Sequence, residues 1–294
     1  MVGSSSSRGK GKKKYAGKGG KKPARGGSGQ YTTLYIGVVV GVLVVAAIFA
    51  FLFFRPKDGE TQGAACAIVV DRTGSSVNEV TRASYIEQAT QMVDACRELR
   101  ASFAVFYFDN QNAKLQEASD EPFELWRPAT RRKSVGEEEV AEEKESAIAA
   151  VESVFETDPE ASTGGHGSDI VTALSLASQS LHQQAAVEGV DETYLVVLTD
   201  GYQTGDLSMR RAFPDRDAKV GPLLEHTRDL DLIPQLDGVA VSFGGVGGGV
   251  ASDRAQIPPW FEALVKQYWT QLIEEAGGGM CVYNVEPAYL PGVC

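Results

Sequence analysis

Beyond residue 63 the chain alternates two hydrophobic rhythms. Short apolar runs at 65–70 (ACAIVV), 102–108 (SFAVFYF), 193–199 (TYLVVLT), 238–243 (GVAVSF) and 280–285 (MCVYNV) have the length expected of strands buried on both faces. A weaker run at 113–119 predicts an edge strand. Between these runs apolar residues recur at intervals of three and four. Val80, Ala83, Ile86, Ala89, Val93 and Cys96 form one such stripe, and a second helix spans about 169–185. Phe261, Leu264, Val265, Tyr268 and Leu272 mark a last helix, entered through Pro258 and Pro259. The acidic stretch EEEVAEEKE (137–145) reads as the solvated first turns of a helix that reaches Phe155. Trp260 and Trp269 belong to core or rim, and residues 201–218 read as a long polar loop. Strands and helices in alternation predict an α/β fold: a three-layer, doubly wound, mostly parallel sheet.

The pattern before residue 63 is different. Leu34 to Phe54 are 21 consecutive residues without a charge, enough for a helix that spans the hydrocarbon core. A cleavable signal peptide has a shorter apolar region with a small-residue site close behind, whereas Arg55, Pro56 and Lys57 follow here. The reading is therefore a transmembrane helix within 31–56, preceded by a tail (1–30) and followed by a linker (57–63) and one domain (64–294). The tail carries nine bases, no acid and mostly Gly and Ser besides, a composition that predicts a disordered cytoplasmic segment. Nine bases before the helix against two just after it orient the chain with its main domain extracytoplasmic, as in a bacterial cell envelope protein.

Charge sharpens that division. All 39 acidic residues lie beyond residue 57, where only 17 of the 28 bases remain, so the outward part carries about −22. Such a surface repels nucleic acid and anionic lipid, and the basic tail reads as a topology signal.

The informative chemistry lies where strands end, because open parallel sheets bind ligands beyond the carboxyl ends of their strands. In AIVVDRTGSSV (67–77) an apolar run stops at Asp71 and gives way to Thr73 and Ser75. VVLTDG exits its strand at Asp200, and GGHGSDIVTAL presents Ser168 just before a helix. Two carboxylates and several neutral hydroxyls are hard oxygen donors of the kind that suits Mg²⁺, with Mn²⁺ or Ca²⁺ as alternatives. The expected metal set is Asp71, Thr73, Ser75, Ser168 and Asp200.

At these residues the chain resembles the von Willebrand factor type A (vWA) domain, whose metal-ion-dependent adhesion site runs D-x-S-x-S, then a threonine, then an aspartate. Asp71, Thr73 and Ser75 match the first element as D-x-T-x-S, Ser168 stands at the threonine position within SDIVTAL, and Asp200 matches the last. The resemblance extends over about residues 64–286. It implies binding without turnover, with a protein partner's carboxylate filling the open position on the ion. Each Ser/Thr exchange keeps a hydroxyl while changing a methyl and its rotamer freedom.

Rival chemistries fare worse. A haloacid-dehalogenase-type phosphatase needs D-x-D at the first strand exit, and Thr73 occupies the second position. No Ser-His-Asp set or cysteine nucleophile is evident. GGVGGG does not satisfy the dinucleotide-binding fingerprint. His166 reads as a solvated loop residue, His182 and His226 as helix-surface or packing residues, and Arg210 and Arg211 as solvated loop charges near the presumed metal. A metal-independent envelope scaffold is the remaining alternative.

All four cysteines (Cys66, Cys96, Cys281, Cys294) fall in the outward part, where an oxidising compartment lets them pair. Placed on this fold, Cys66–Cys96 with Cys281–Cys294 is the favoured connectivity, and Cys66–Cys294 the open alternative.

Overall fold

A computed structural model of the chain describes residues 63–73, 79–108, 115–126, 133–156, 168–246 and 257–284. All belong to one compact unit, Lys57–Cys294. The expected tail and membrane helix and most of the expected linker lie outside the described residues, as do Ser75, His166 and Cys294. Among the described residues no helix is long and apolar enough to cross a membrane.

Every residue of strand β1 (Ala64–Asp71) is buried, because β1 is central and covered on both faces. It pairs in parallel with β2 (Ala101–Phe108) on one side and with β5 (Glu192–Leu198) on the other. β6 (Val239–Gly244) and β7 (Gly279–Tyr283) continue the parallel array beyond β5. The outer edge of β2 carries two antiparallel two-residue strands, β3 (Gln116–Glu117) and β4 (Phe123–Glu124). Such short acidic pieces blunt an edge that would otherwise template pairing with another chain. The expected edge strand is thus present in shortened form, and β4 had no separate signal.

Alternation along β1 divides the core. Cys66, Ile68 and Val70 face helices α1 (Glu79–Glu98) and α2 (Lys133–Val154), packing with Tyr85, Val93, Ala147 and Val151. Ala65, Ala67 and Val69 face α3 (Ile170–Glu188), α5 (Gly221–Asp229) and α6 (Pro259–Glu275), with Leu174, Leu224 and Trp269 among their partners. Helices therefore cover both faces of a mostly parallel sheet. This is the layered plan that the sequence pattern predicts.

Three local readings are corrected. On α1 the buried face is Thr81, Tyr85, Gln88, Ala89, Met92, Val93 and Cys96, whereas Val80 is 80% exposed. The stripe holds near Cys96, where the disulfide pins the helix to β1, and rotates away toward the start, where Tyr85 offers more area to bury than Ala83. Residues 201–218 are not a polar loop: a 3₁₀ turn (Gly205–Leu207) and a short helix α4 (Met209–Ala212) bury Leu207, Met209 and Phe213. α5 was not anticipated, since its buried Leu223, Leu224 and Thr227 are too few to establish a period.

Trp269 is fully buried and its indole N–H donates to the Gly201 carbonyl at 2.9 Å, while Trp260 packs against the core's edge. Cys66 and Cys96 form a disulfide with Cα atoms 6.4 Å apart, at the end of the sheet where β1 begins. Cys281 is also disulfide-bonded. Closing a loop of 30 residues restricts the unfolded chain and is worth ~2–4 kcal/mol. Cys96→Ala is expected to lower the unfolding free energy obtained from urea denaturation by that amount without changing metal response, and non-reducing peptide mapping should recover the Cys66 and Cys96 peptides joined. Recovery of Cys66 joined to Cys294 would contradict this pairing.

Candidate metal centre

Strand order places β1 between β2 and β5, so the chain winds one way from β1 to β2 and the other way to β5. The crevice at such a reversal is where open α/β sheets bind ligands. Asp71 ends β1 there. Because Val70 is level with Leu198, Thr199 and then Asp200 leave β5 beside it.

Asp71 is fully buried and gathers its surroundings. The backbone N–H of Thr73 donates to Oδ1 at 2.9 Å. The Ser168 hydroxyl donates to Oδ2 at 3.0 Å and the Thr199 hydroxyl to the same oxygen at 2.7 Å. The Thr73 and Ser168 hydroxyl oxygens are themselves 2.9 Å apart. Asp200 is 6% exposed, and its Oδ1 accepts the Tyr202 backbone N–H at 3.0 Å. Gly201, at φ +83°, makes the turn after Asp200: a Cβ there would lie 3.0 Å from the Tyr283 hydroxyl and 3.2 Å from Val246 Cγ1. That crowding explains the glycine of VVLTDG.

Ser168 is held from another direction. Its carbonyl accepts the Thr204 backbone N–H at 3.0 Å and the Thr204 hydroxyl at 3.2 Å. The next residue, Asp169, caps α3 by accepting the Thr172 N–H at 3.3 Å. Gln203 bridges the same segments: its Oε1 accepts the Ile170 and Val171 N–H groups at 2.7 and 3.1 Å, and its Nε2 donates to Asp169 Oδ1 and the Thr204 carbonyl.

Of the predicted set, Asp71, Thr73, Ser168 and Asp200 thus come together from three segments, and Ser75 lies outside the described residues. Thr199 and Gln203 were missed. Thr199 sits inside the quoted VVLTDG and could have been found from strand register, whereas nothing in the local pattern distinguishes Gln203. Arg210 and Arg211 are exposed on α4, the Arg211 guanidinium donating to the Gly205 carbonyl. His182 is partly buried on α3, and His226 is exposed on α5.

Burial raises the Asp71 pKa from 3.8 to about 6, and the neighbouring Asp200 carboxylate adds to the rise, while bonds from Thr199 and Thr73 oppose it. The same burial lifts the Tyr85 phenol well above its usual range, with Asp71 and Asp200 contributing. Two like charges enclosed together are held at a cost that a cation would relieve.

The donor set fits a small hard cation. Ligands at ~2.1 Å in adjacent octahedral positions lie roughly 3.0 Å apart. The Thr73–Ser168 and Ser168–Asp71 oxygen separations are 2.9 and 3.0 Å. Among the described residues no group of three or more His, Cys, Asp or Glu side chains is arranged for a metal, so this centre rests on hydroxyl oxygens beside two carboxylates.

No family model matches the chain, and no curated protein matches it. Solved structures with a similar arrangement include an aerotolerance-related membrane protein from Bacteroides fragilis NCTC 9343 (13% identity, 76% of this chain and 92% of that one, TM-score 0.39). BatB from Bacteroides thetaiotaomicron (15% identity, 76% and 91%, TM-score 0.42) is another. A third is the pilus adhesin SpaC from Lactobacillus rhamnosus GG, of which the match covers 28%, against 78% of this chain, at 11% identity and TM-score 0.40. At these scores the likenesses carry no conclusion about chemistry.

The raised Asp71 pKa has a testable sign. The metal-free folded protein holds this proton more tightly than the unfolded chain, so the penalty sets in as pH rises from 3.8 and is complete above about 6. In EDTA, the unfolding temperature is expected to increase between about pH 7 and pH 5. Asp71→Asn, which can reorient its amide to the same neighbours, should flatten that dependence in a calorimetric scan; an unchanged slope would refute it.

Proposed function

We propose that the chain is a membrane-anchored, extracytoplasmic binding module, not an enzyme, that takes a protein partner through a divalent cation held by Asp71, Thr73, Ser75, Ser168 and Asp200. One observation carries the reading: the buried oxygens of Thr73, Ser168 and Asp71, from two segments, stand at octahedral spacing where the sheet's winding reverses, with the Asp200 carboxylate of a third segment as their neighbour. The resemblance of Asp71-x-Thr73-x-Ser75, Ser168 and Asp200 to the vWA adhesion site supports it, as does the apolar run 34–54 for the anchor.

When bound, Mg²⁺ or Mn²⁺ supplies a Lewis-acidic position that a partner's carboxylate can complete. The chain's residues do the rest. Asp71 accepts the Ser168 and Thr199 hydroxyl protons, which leaves Ser168 lone pairs turned away from the carboxylate. Having two carboxylates, rather than three or four, balances the ion's charge without making the site anionic, so an anionic partner can still take a coordination position.

A second reading has its own support. Asp71 is well satisfied by protein donors without any ion, as a metal-independent scaffold requires.

Titration calorimetry separates the two. Mg²⁺ or Mn²⁺ is expected to bind the purified chain and raise its unfolding temperature, and Asp71→Ala or Asp200→Ala to abolish both responses. Absence of heat and of thermal shift with either ion would leave the scaffold. Capture of a partner that EDTA releases should fail with the same variants.

A further inference from the structure

The centre is assembled from segments distant in sequence, and two of them are joined by the Thr204 bonds to the Ser168 carbonyl and by one side chain that makes several contacts at once. Gln203 is 4% exposed and uses both ends of its amide. Oε1 takes the Ile170 N–H at 2.7 Å and the Val171 N–H at 3.1 Å, the first turn of α3. Nε2 donates to Asp169 Oδ1 at 3.2 Å and to the Thr204 carbonyl at 3.1 Å. Its own backbone bridges to Ser168, and its carbonyl accepts the Met209 N–H at 3.1 Å. A short capping residue could satisfy one N–H of a helix start, whereas the longer Gln side chain reaches across from the loop that carries Asp200.

We propose that Gln203 is the positioning residue of the centre: by clasping the start of α3 to the loop after β5, it sets where Ser168 stands relative to Asp71 and Asp200. The inference rests on the divalent-cation reading of the site. Ser168 lies two residues before the first amide that Gln203 holds, and Thr204, which it also holds, is bonded to the Ser168 carbonyl at 3.0 Å. Displacing either side of the clasp therefore moves the Ser168 hydroxyl away from its 2.9 and 3.0 Å partners. Residues that orient metal ligands in this way typically change affinity ~10–100-fold when removed.

The test uses the full chain in detergent, with Mg²⁺ alone as probe. Gln203→Ala is expected to weaken Mg²⁺ binding ~10-fold or more, and Gln203→Glu, which keeps the acceptor but loses the donor, to fall between. In a Ser168→Ala background the Gln203→Ala change should have little further effect, because its target is gone. In EDTA, hydrogen exchange at Ile170, Val171 and Thr204 should accelerate together in Gln203→Ala while the exchange of β1 and β5 is retained. Unchanged exchange at those amides, or an equal loss of affinity with and without Ser168, overturns the proposal. If Asp71→Ala leaves Mg²⁺ binding intact, the cation reading of the site fails instead, and the exchange measurement still decides whether the clasp exists.

Discussion

A carboxylate is enclosed completely at the end of β1, and the rest of the centre answers the cost of keeping it there. Removing an ionised Asp from water is unfavourable unless hydrogen bonds replace the lost hydration. Asp71 receives them from Thr73 in its own loop, from Thr199 on the adjacent strand and from Ser168 before α3. Its single side chain therefore fixes the relative position of three chain segments. Asp200 beside it makes the arrangement more expensive, since two like charges share a low-dielectric enclosure. A core built for stability alone would avoid this pair.

The enclosure exists because of the sheet's winding. Parallel strands put all their carboxyl ends on one side, and the change of direction between β1 and β5 opens a crevice where neither connecting helix fills the space. Asp71 and Asp200 leave adjacent strands at that point, whereas the Cys66–Cys96 bridge ties β1 to α1 at the opposite end. Stabilising covalent chemistry and candidate binding chemistry are thus separated by the length of the sheet. Aromatic packing around Trp269, whose N–H holds the Gly201 carbonyl, steadies the turn that carries Asp200 from the core side.

The parts of the centre that were legible differ in kind from those that were not. Asp71, Thr73 and Ser75 share one short segment at the end of an apolar run, so the change from apolar to oxygen-bearing residues marks them directly. Asp200 is marked in the same way. Thr199 contributes through register, and Gln203 through the path of a loop whose buried Leu207, Met209 and Phe213 are scattered among charged residues. Neither property has a local periodic signature. The rotated face of α1 has a similar origin: spacing located the helix, but which stripe faces inward followed from Tyr85 and Met92 packing against strands far away in sequence.

The order of the five main strands and the four longer helices, the burial of β1 on both faces, the concentration of charge beyond residue 57 and the residue types at strand exits were determined by the sequence itself. Each depends only on the composition or spacing of a continuous stretch. Which strands adjoin, that Val70 stands level with Leu198, that Thr199 completes the hydrogen bonding of Asp71 and that Gln203 joins two loops were decided by the tertiary structure. Those facts concern pairs of residues separated by tens of positions, and only the closing of the sheet brings them within a hydrogen bond of each other.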